Sequence, residues 1–212
     1  MRINLKGENL ILHPCKAIYW PRRKALLLAD LHLGKAAHFR NEGIPVPKAV
    51  QDKNLQTMAD LIVEFRPERV LFLGDLFHSF YNESWEAFVD FLVHFPNISF
   101  ELIIGNHDIL NDTAYEKAGL VLHEEPYAMN PFLLSHHPQE KIIEGWYHFH
   151  GHIHPCVHLQ GRGKQTFRLP CFHFGEYHGV LPAFGDFTGM GKMRTVAGDR
   201  VFVIADNEVL EV

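Results

Sequence analysis

Runs of consecutive apolar residues alternate with amphipathic segments in the first half of the chain. The runs Ala25–Asp30, Arg69–Leu73 and Ser99–Ile104 are short and almost continuously apolar, which is typical of buried strands. Between them, Pro47–Phe65 and Glu83–Phe95 place apolar residues at helical spacing. This half therefore predicts strand–helix units in succession.

The second half of the chain is strand-rich after one short predicted helix near Leu110–Ala118. The GRGK segment at Gly161–Lys164 is typical of a hairpin turn. Strand–helix units followed by many strands predict an α/β fold of two mixed sheets covered by helices. The predicted strands of this half are Phe132–Ser135, Trp146–His150, Cys156–Gln160, Phe167–Phe174, Arg200–Ala205 and Glu208–Val212.

Length and composition predict one globular domain spanning residues 1–212. Hydrophobic residues make up 47% of the chain, enough for a sizeable core, and the formal charge of −5 excludes a global basic field that draws the chain onto nucleic acid. The three cysteines are too few and too scattered for a disulfide framework. The N-terminus lacks a signal-peptide pattern, and no apolar run approaches the roughly 20 residues that span a bilayer. We therefore expect a cytoplasmic protein without a membrane partner.

Histidine is unusually abundant, with 16 residues against 20 lysines and arginines. Neutral imidazole is the commonest metal ligand in proteins, so the polar residues that directly follow the predicted strands are the first place to look for a metal site. Each of these clusters, taken alone, consists of residues that are common in turns. Together they are expected to converge, because ligands bind beyond the carboxyl ends of strands in α/β sheets. The clusters are Asp30 and His32, Asp75, Asn106 to Asp108, His136 and His137, and His152 and His154.

The order of these clusters resembles the calcineurin-like metallophosphoesterase superfamily. The resemblance extends from Asp30 to His154 and implies a four-layer αββα sandwich of two mixed sheets flanked by helices, two divalent metal ions and phosphoester hydrolysis. The matching motifs are D-x-H at 30–32, G-D-L-F-H at 74–78, G-N-H-D at 105–108, the downstream His136 and G-H-x-H at 151–154.

A closer resemblance exists to the bacterial ligase-associated, DNA-damage-response metallophosphoesterases, to which an endonuclease function is ascribed. The segments that carry it are ADLHLGKAAHFRNEGIPVP, GDLFHS, LLSHHP and LPAFGDFTG. It implies a phosphoester substrate, nucleic acid or nucleotide, and a functional association with DNA ligase and other repair proteins.

The resemblance also implies how the ligands are divided between two metals. One ion takes Asp30, His32, Asp75 and His154. Asp75 bridges to the second ion, which also takes Asn106, His136 and His152. Spacing alone does not distinguish His136 from His137, and the resemblance favours His136.

The types of ligand agree with this chemistry. Imidazole, carboxylate and amide ligands without a thiolate suit Mn²⁺, the expected metal, and also Fe²⁺ or Zn²⁺. Two dications outweigh two carboxylates and a bridging hydroxide, and the resulting positive site suits an anionic phosphoryl group. The expected nucleophile is that metal-bridging hydroxide, and no serine or cysteine triad is visible in the sequence.

Further residues are expected on the substrate side of the metals. His107 resembles the general acid or transition-state stabiliser of the family, and Asp108 either orients it by a hydrogen bond or caps the following helix. Lys35, His38 and Arg40 are candidates for contact with substrate phosphate, or ordinary charged loop residues. His78 matches a position occupied by histidine in nuclease-like members and by aspartate in others.

Other classes of protein fit the sequence less well. A metallo-β-lactamase-like hydrolase requires HxHxDH, but Pro155 and Cys156 follow His154. A TIM-barrel hydrolase usually has an HxH motif early in a longer chain, whereas the HxH of this chain comes late, at 152–154. A catalytically silent binding module on the same fold would be favoured by a missing ligand, and none is missing. For the substrate, a phosphodiester is expected first, and nucleotide pyrophosphatase or phosphomonoesterase activity is the alternative.

Overall fold

The first of two β-sheets contains seven strands in sequence order. The computed structural model describes residues 1–35, 49–79, 81–141, 143–160, 165–186 and 188–212. The first four strands pair antiparallel, and the fourth to the seventh run parallel. The strands are β1 (Arg2–Leu5), β2 (Glu8–His13), β3 (Ala17–Trp20), β4 (Ala25–Leu28), β5 (Arg69–Leu73), β6 (Ser99–Ile103) and β7 (Leu120–His123), with a 3-10 turn at Pro21–Arg23 between β3 and β4.

The second sheet is mixed and contains nine strands. Its order is β14-β11-β12-β13-β10-β9-β8, and β15 pairs with both β12 and β16. The β9, β10 and β13 strands run parallel, whereas the remaining pairs, apart from β11 with β14, are antiparallel. The strands are β8 (Tyr127–Met129), β9 (Phe132–Ser135), β10 (Tyr147–His150), β11 (Pro155–Gln160), β12 (Thr166–Phe174), β13 (His178–Val180), β14 (Gly191–Lys192), β15 (Arg200–Ala205) and β16 (Glu208–Glu211).

The main core lies between the two sheets and is rich in aromatic residues. Trp20 of the first sheet meets Phe132 of the second at a ring-centroid distance of 4.8 Å. A second core joins the outer face of the first sheet to the helices α1 (Ala49–Phe65), α2 (Glu83–Val93) and α3 (Asp112–Lys117). The outer face of the second sheet has a smaller apolar cluster around Cys171, Val201 and Val203.

The expected sandwich of two mixed sheets is confirmed, with differences at element ends. The β4 strand ends at Leu28, two residues before the predicted end, because Asp30 has a left-handed backbone with a φ of 54°. The described part of the predicted helix Pro47–Phe65 begins at Ala49. The predicted turn at 161–164 lies outside the described residues, although β11 and β12 on either side pair antiparallel.

Several strands were not predicted from the sequence. They are β1, β2, β3, β7, β8, β13 and β14. Most of them are short or carry exposed polar residues within the strand, so that they lack the continuous apolar run of a buried strand. No helix among the described ranges is long and apolar enough to cross a membrane.

A buried ion network joins the first sheet to the β8 segment and gives a prediction about stability. The Glu101 carboxylate is buried and accepts hydrogen bonds from Arg69 Nε and Nη2 at 2.5 and 2.6 Å, and its Oε2 lies 2.7 Å from His123 Nε2. Burial alone would raise the pKa of Glu101, but these hydrogen bonds outweigh burial and lower it. Its stabilising contribution is therefore complete above the ordinary carboxylate range and is lost as the pH falls through the lowered pKa.

We expect Glu101→Ala to reduce the free energy of unfolding by about 2–3 kcal/mol, because Arg69 then loses its carboxylate partner at a partly buried position and keeps the Tyr127 hydroxyl, at 2.9 Å. Urea unfolding measures this loss. The matched control is Glu211→Ala, which removes an exposed partner of Arg200 at 2.7 Å and should cost less than about 1 kcal/mol. Equal losses in the two variants would contradict the proposed stabilisation by the buried network.

Candidate metal centre

The polar clusters predicted from the sequence meet at one edge of the sandwich. In the first sheet, β4, β5 and β6 are parallel neighbours, so their carboxyl ends lie together. In the second sheet, β9 and β10 are parallel neighbours and end side by side at Ser135 and His150. The loops after β4 and β5 are also paired, because the backbone N–H of His32 donates to the carbonyl of Asp75 at 2.9 Å.

Five of the seven predicted ligands have a left-handed backbone. Their φ values lie between 48° and 66°. This conformation is uncommon for residues other than glycine and costs on the order of 1–3 kcal/mol at each position, so that it persists only where the surrounding structure imposes it. Such strain clusters at functional sites, and here it turns each side chain toward the shared edge. The five residues are Asp30, His32, Asp75, His152 and His154.

Two glycines allow the close approach of ligands from different strands. A Cβ atom on Gly74 would overlap the ring of His136, and Gly74 also has a φ of 74°. A Cβ atom on Gly105 would overlap the backbone and carboxylate of Asp75. Both glycines are therefore required by the space between strands, and Gly74 also by its left-handed backbone.

One cluster of donor atoms lies between the loops after β4, β5 and β10. His32 Nε2 is 3.4 Å from His154 Nε2 and 3.7 Å from Asp75 Oδ2. His154 Nε2 is also 3.3 Å from Asp30 Oδ1. All four side chains are at most partly exposed, so two imidazole nitrogens and two carboxylates face a small shared space.

A second cluster adjoins it on the side of the second sheet. His136 Nε2 is 2.9 Å from Asn106 Oδ1, 3.0 Å from His152 Nδ1 and 3.3 Å from Asp75 Oδ1. His136 is completely buried, whereas the side chain of His137 is 38% exposed. The structure thus brings the predicted ligands into two adjoining groups.

The donor set fits divalent metal ions. The donor atoms of Asp30, His32 and His154 lie within 4.8 Å of one another, as do those of Asp30, Asp75 and His136. Burial lowers the pKa of His32 to about 2, and burial together with the neighbouring histidines lowers the pKa of His152. Neutral imidazoles beside carboxylates are the usual ligands of divalent transition metals.

His154 differs from His32 and His152 in the direction of its pKa shift. Burial alone would lower its pKa, but the hydrogen bond with Asp30 outweighs burial and raises it. A proton and a metal ion therefore compete for this imidazole, and metal binding would release the proton.

Several residues that orient these ligands were not predicted from the sequence. His136 Nδ1 lies 3.1 Å from the carbonyl of Leu73, and His154 Nδ1 lies 2.9 Å from the carbonyl of Gly189, which leaves both Nε2 atoms facing the cluster. Glu125 accepts the backbone N–H groups of His136 and His137 at 2.8 and 3.1 Å. Backbone carbonyls carry no sequence signal, and no motif marks Glu125. The LPAFGDFTG segment, which contains Gly189, was noted only for its family resemblance.

Three of the predicted substrate-side residues lie beside the donor clusters. The ring of His107 is 5.6 Å from that of His32 and 3.9 Å from that of His78. Lys35 is partly buried, which lowers its pKa, and the charges of Asp75 and Asp30 partly offset this effect. His38 and Arg40, the other two candidates, lie outside the described residues.

The contacts of Asp108 differ from the two that the sequence suggested. Its Oδ1 accepts the backbone N–H of Phe77 at 3.0 Å, and its Oδ2 accepts that of Gly105 at 2.8 Å. The following helix is capped instead by Asn111, whose side chain accepts from Ala114 N. Burial raises the pKa of Asp108 to about 7. Both carboxylate oxygens are thus used to hold the Gly105–Asp108 turn against the loop after β5.

The geometry leads to a test of the two adjacent histidines. We expect His136→Ala to weaken metal binding, because its buried Nε2 faces three other donors. His137→Ala should keep a metal content near that of the wild type, because its Nδ1 is 2.7 Å from Glu125 Oε1 and its side chain is partly exposed. Metal analysis after loading with Mn²⁺ measures both. The donor atoms of His137 also lie within 4.8 Å of those of His136 and His152, so the reverse result would transfer the ligand role to His137.

Comparison with known proteins adds independent findings. The sequence profile of calcineurin-like phosphoesterases matches residues 23–196. The chain is similar to the crystal structure of Pseudomonas putida nuclease MPE, with a TM-score of 0.86, 31% identity and coverage of 100% of this chain and 99% of that chain. Yfce, a phosphoesterase from E. coli, has a TM-score of 0.46 and 13% identity over 89% of this chain and 97% of that chain, which is too low to support an inference. No curated protein matches the chain.

Proposed function

Because the chain belongs to the calcineurin-like phosphoesterase family and is a metal-dependent phosphoesterase, we propose that it hydrolyses phosphodiesters with two divalent metal ions and acts as a nuclease. One ion would be held by Asp30, His32, Asp75 and His154. The other would be held by Asp75, Asn106, His136 and His152. The donor types favour Mn²⁺ among the metals that such a site accepts.

The observation that carries the two-ion proposal is the position of Asp75. Its Oδ2 faces His32 in the first cluster, and its Oδ1 faces His136 in the second, at 3.7 and 3.3 Å from the respective Nε2 atoms. A carboxylate whose two oxygens face different histidine groups is suited to bridge two cations. Asp75 Oδ1 also accepts the backbone N–H of His107 at 2.9 Å, which orients the carboxylate.

The chain's own residues account for the rest of the mechanism. When bound, the metal ions would activate a water molecule and stabilise charge on the phosphoryl oxygens. Lys35 adds a positive charge beside Asp30 and Asp75, where an anionic phosphate would approach. His107 holds a proton for the leaving oxygen, and His78 packs against its ring. Asp108 is a positioning residue, because it holds the turn that presents Asn106 and His107.

Preference for a phosphodiester is supported by similarity over the whole chain to a protein named as a nuclease. His78 also matches the histidine found in nuclease-like members of the family. The negative formal charge does not conflict with this proposal, because a nuclease needs only local contacts with the phosphates near the scissile bond.

The test is metal content together with turnover of a substrate panel. The protein should bind two Mn²⁺ ions per chain and hydrolyse bis-p-nitrophenyl phosphate and DNA, single- or double-stranded, faster than p-nitrophenyl phosphate or nucleoside diphosphate conjugates. Faster turnover of the monoester or of the conjugates would contradict the nuclease assignment and favour a phosphomonoesterase or a nucleotide pyrophosphatase. Binding of one ion per chain would contradict the two-ion site.

We also propose a role in DNA repair in the cytoplasm, in functional association with DNA ligase. This proposal is supported by the resemblance to the ligase-associated members of the family. Deletion of the gene should increase the sensitivity of the cell to DNA damage, and a variant lacking Asp75 should fail to restore resistance. Restoration by that variant would contradict a repair role that depends on hydrolysis.

A further inference from the structure

The outer face of the second sheet carries a cavity of about 220 Å³. Its floor is a row across three neighbouring strands, with Leu133 of β9 and His178 of β13 as register partners of His148 of β10. The next residues along two of these strands, Leu134 and Phe149, belong to the core between the sheets. Because successive side chains of a strand point to opposite faces, the floor residues face away from that core.

The walls of the cavity include two aromatic side chains, and its floor combines the apolar Leu133 with two uncharged imidazoles. Trp146 lies two residues before His148 and on the same face of the sheet, and Tyr177 stands beside it with 40% of its surface exposed. Burial lowers the pKa of His148 to about 4, so its imidazole is neutral near pH 7. Among the described lining residues, Lys141 alone carries a permanent charge.

We propose that this cavity binds the base of a nucleotide that neighbours the scissile phosphodiester. Nucleobases are planar, uncharged and edged with hydrogen-bond donors and acceptors, and they stack on tryptophan and tyrosine side chains. Neutral imidazoles and the amide of Gln139 supply hydrogen-bonding groups, and Lys141 supplies a positive charge for the attached phosphate. The proposal that a base binds is argued from the cavity alone. The proposal that the bound base contributes to catalysis rests on the proposed nuclease function.

Hydrogen bonds and the course of β10 connect the cavity to the predicted metal ligands. His148 Nε2 lies 2.6 Å from Ser135 Oγ, and that hydroxyl donates to the carbonyl of His137. Ser135 directly precedes the predicted ligand His136. His148 is two residues before the end of β10 at His150 and four residues before the predicted ligand His152, a span of at most about 13 Å. A base in the cavity would therefore belong to a nucleotide next to the scissile phosphate.

Tryptophan fluorescence tests base binding directly. Trp20 and Trp85 are 0% and 2% exposed, so a bound base would quench mainly Trp146. We expect saturable quenching by adenosine or thymidine monophosphate in the presence of a chelator, which removes any contribution of bound metal. Tyr177→Ala should weaken the Kd about tenfold, as expected for the loss of one stacking partner. Tyr81→Ala is the matched control, because Tyr81 is 62% exposed and lies outside the cavity.

A kinetic comparison then tests the link to catalysis. In the Mn²⁺-loaded enzyme, Tyr177→Ala should lower the ratio of kcat/KM for a dinucleotide to kcat/KM for bis-p-nitrophenyl phosphate about tenfold, whereas Tyr81→Ala keeps the wild-type ratio. Absence of saturable quenching, or equal Kd values for the two tyrosine variants, would overturn base binding and leave the nuclease proposal intact. Normal quenching with an unchanged ratio would overturn the neighbouring-nucleotide role. Normal quenching without hydrolysis of any diester would overturn the proposed nuclease function and leave base binding standing.

Discussion

Replacing Asp75 by alanine is expected to remove both bound metal ions and to lower phosphodiester hydrolysis more than the loss of any single histidine. The reason is that its two oxygens face the two donor clusters separately, toward His32 and toward His136. Its loss therefore affects both ions at once. The fall in kcat/KM should exceed the roughly 10- to 100-fold loss that is typical when a residue only orients a metal ligand.

Matched variants separate the bridging role from simple loss of charge. Asp75→Asn keeps the size of the side chain and an acceptor for the backbone N–H of His107, so it should fold normally and still bind metal poorly. His32→Ala removes one donor from the first cluster only and should lose chiefly one ion. Metal analysis after Mn²⁺ loading, with hydrolysis of bis-p-nitrophenyl phosphate, gives both readouts. Loss of one ion in Asp75→Ala, or a metal-bound structure in which Asp75 contacts one ion, would rule out the bridge.

His107→Ala is expected to keep both metals and to lose activity according to the leaving group. The neighbouring Asn106 supplies the side chain that lies 2.9 Å from His136, whereas the ring of His107 packs against His78. His107 therefore lies beside the two donor clusters and not among the predicted ligands. A general acid contributes about 10²–10⁴-fold to the rate, so hydrolysis of natural alkyl diesters should fall by this factor.

Paired substrates test this role of His107. p-Nitrophenolate leaves without much protonation, so hydrolysis of p-nitrophenyl diesters should fall much less than hydrolysis of alkyl diesters. Asp108→Asn is a useful comparison, because it perturbs the turn that presents His107 and should slow both substrates to a similar extent. Loss of a metal from His107→Ala would make His107 a ligand. An equal fall for both substrates would make it a general electrostatic group.

The amino-acid sequence determined the types and order of the site residues. Short apolar runs marked β4, β5 and β6, strand-like segments marked β9 and β10, and polar motifs directly after them marked the edge at which the strands meet. This information is local, because a strand and the turn that follows it lie next to one another in the chain. The family followed from the same motifs and is confirmed by the match over residues 23–196.

The tertiary structure decided the features that depend on contacts between distant segments. The burial of the His136 ring beside Gly74, next to a partly exposed His137, is one of these features. The position of Asp75 between His32 and His136 depends on loops that approach it from both sheets. Glu125 also lies at the site because of tertiary packing, and no sequence motif indicates it.

Asp108 shows most clearly that the local sequence does not determine contacts between distant segments. Its motif suggested a partner for His107 or a helix cap, because those are local possibilities. The structure instead gives its two oxygens to the backbone of Gly105 and of Phe77, a residue 31 positions earlier in the chain. A buried carboxylate accepts from the N–H groups that surround it, and the packing of the β5 and β6 loops determines which ones these are.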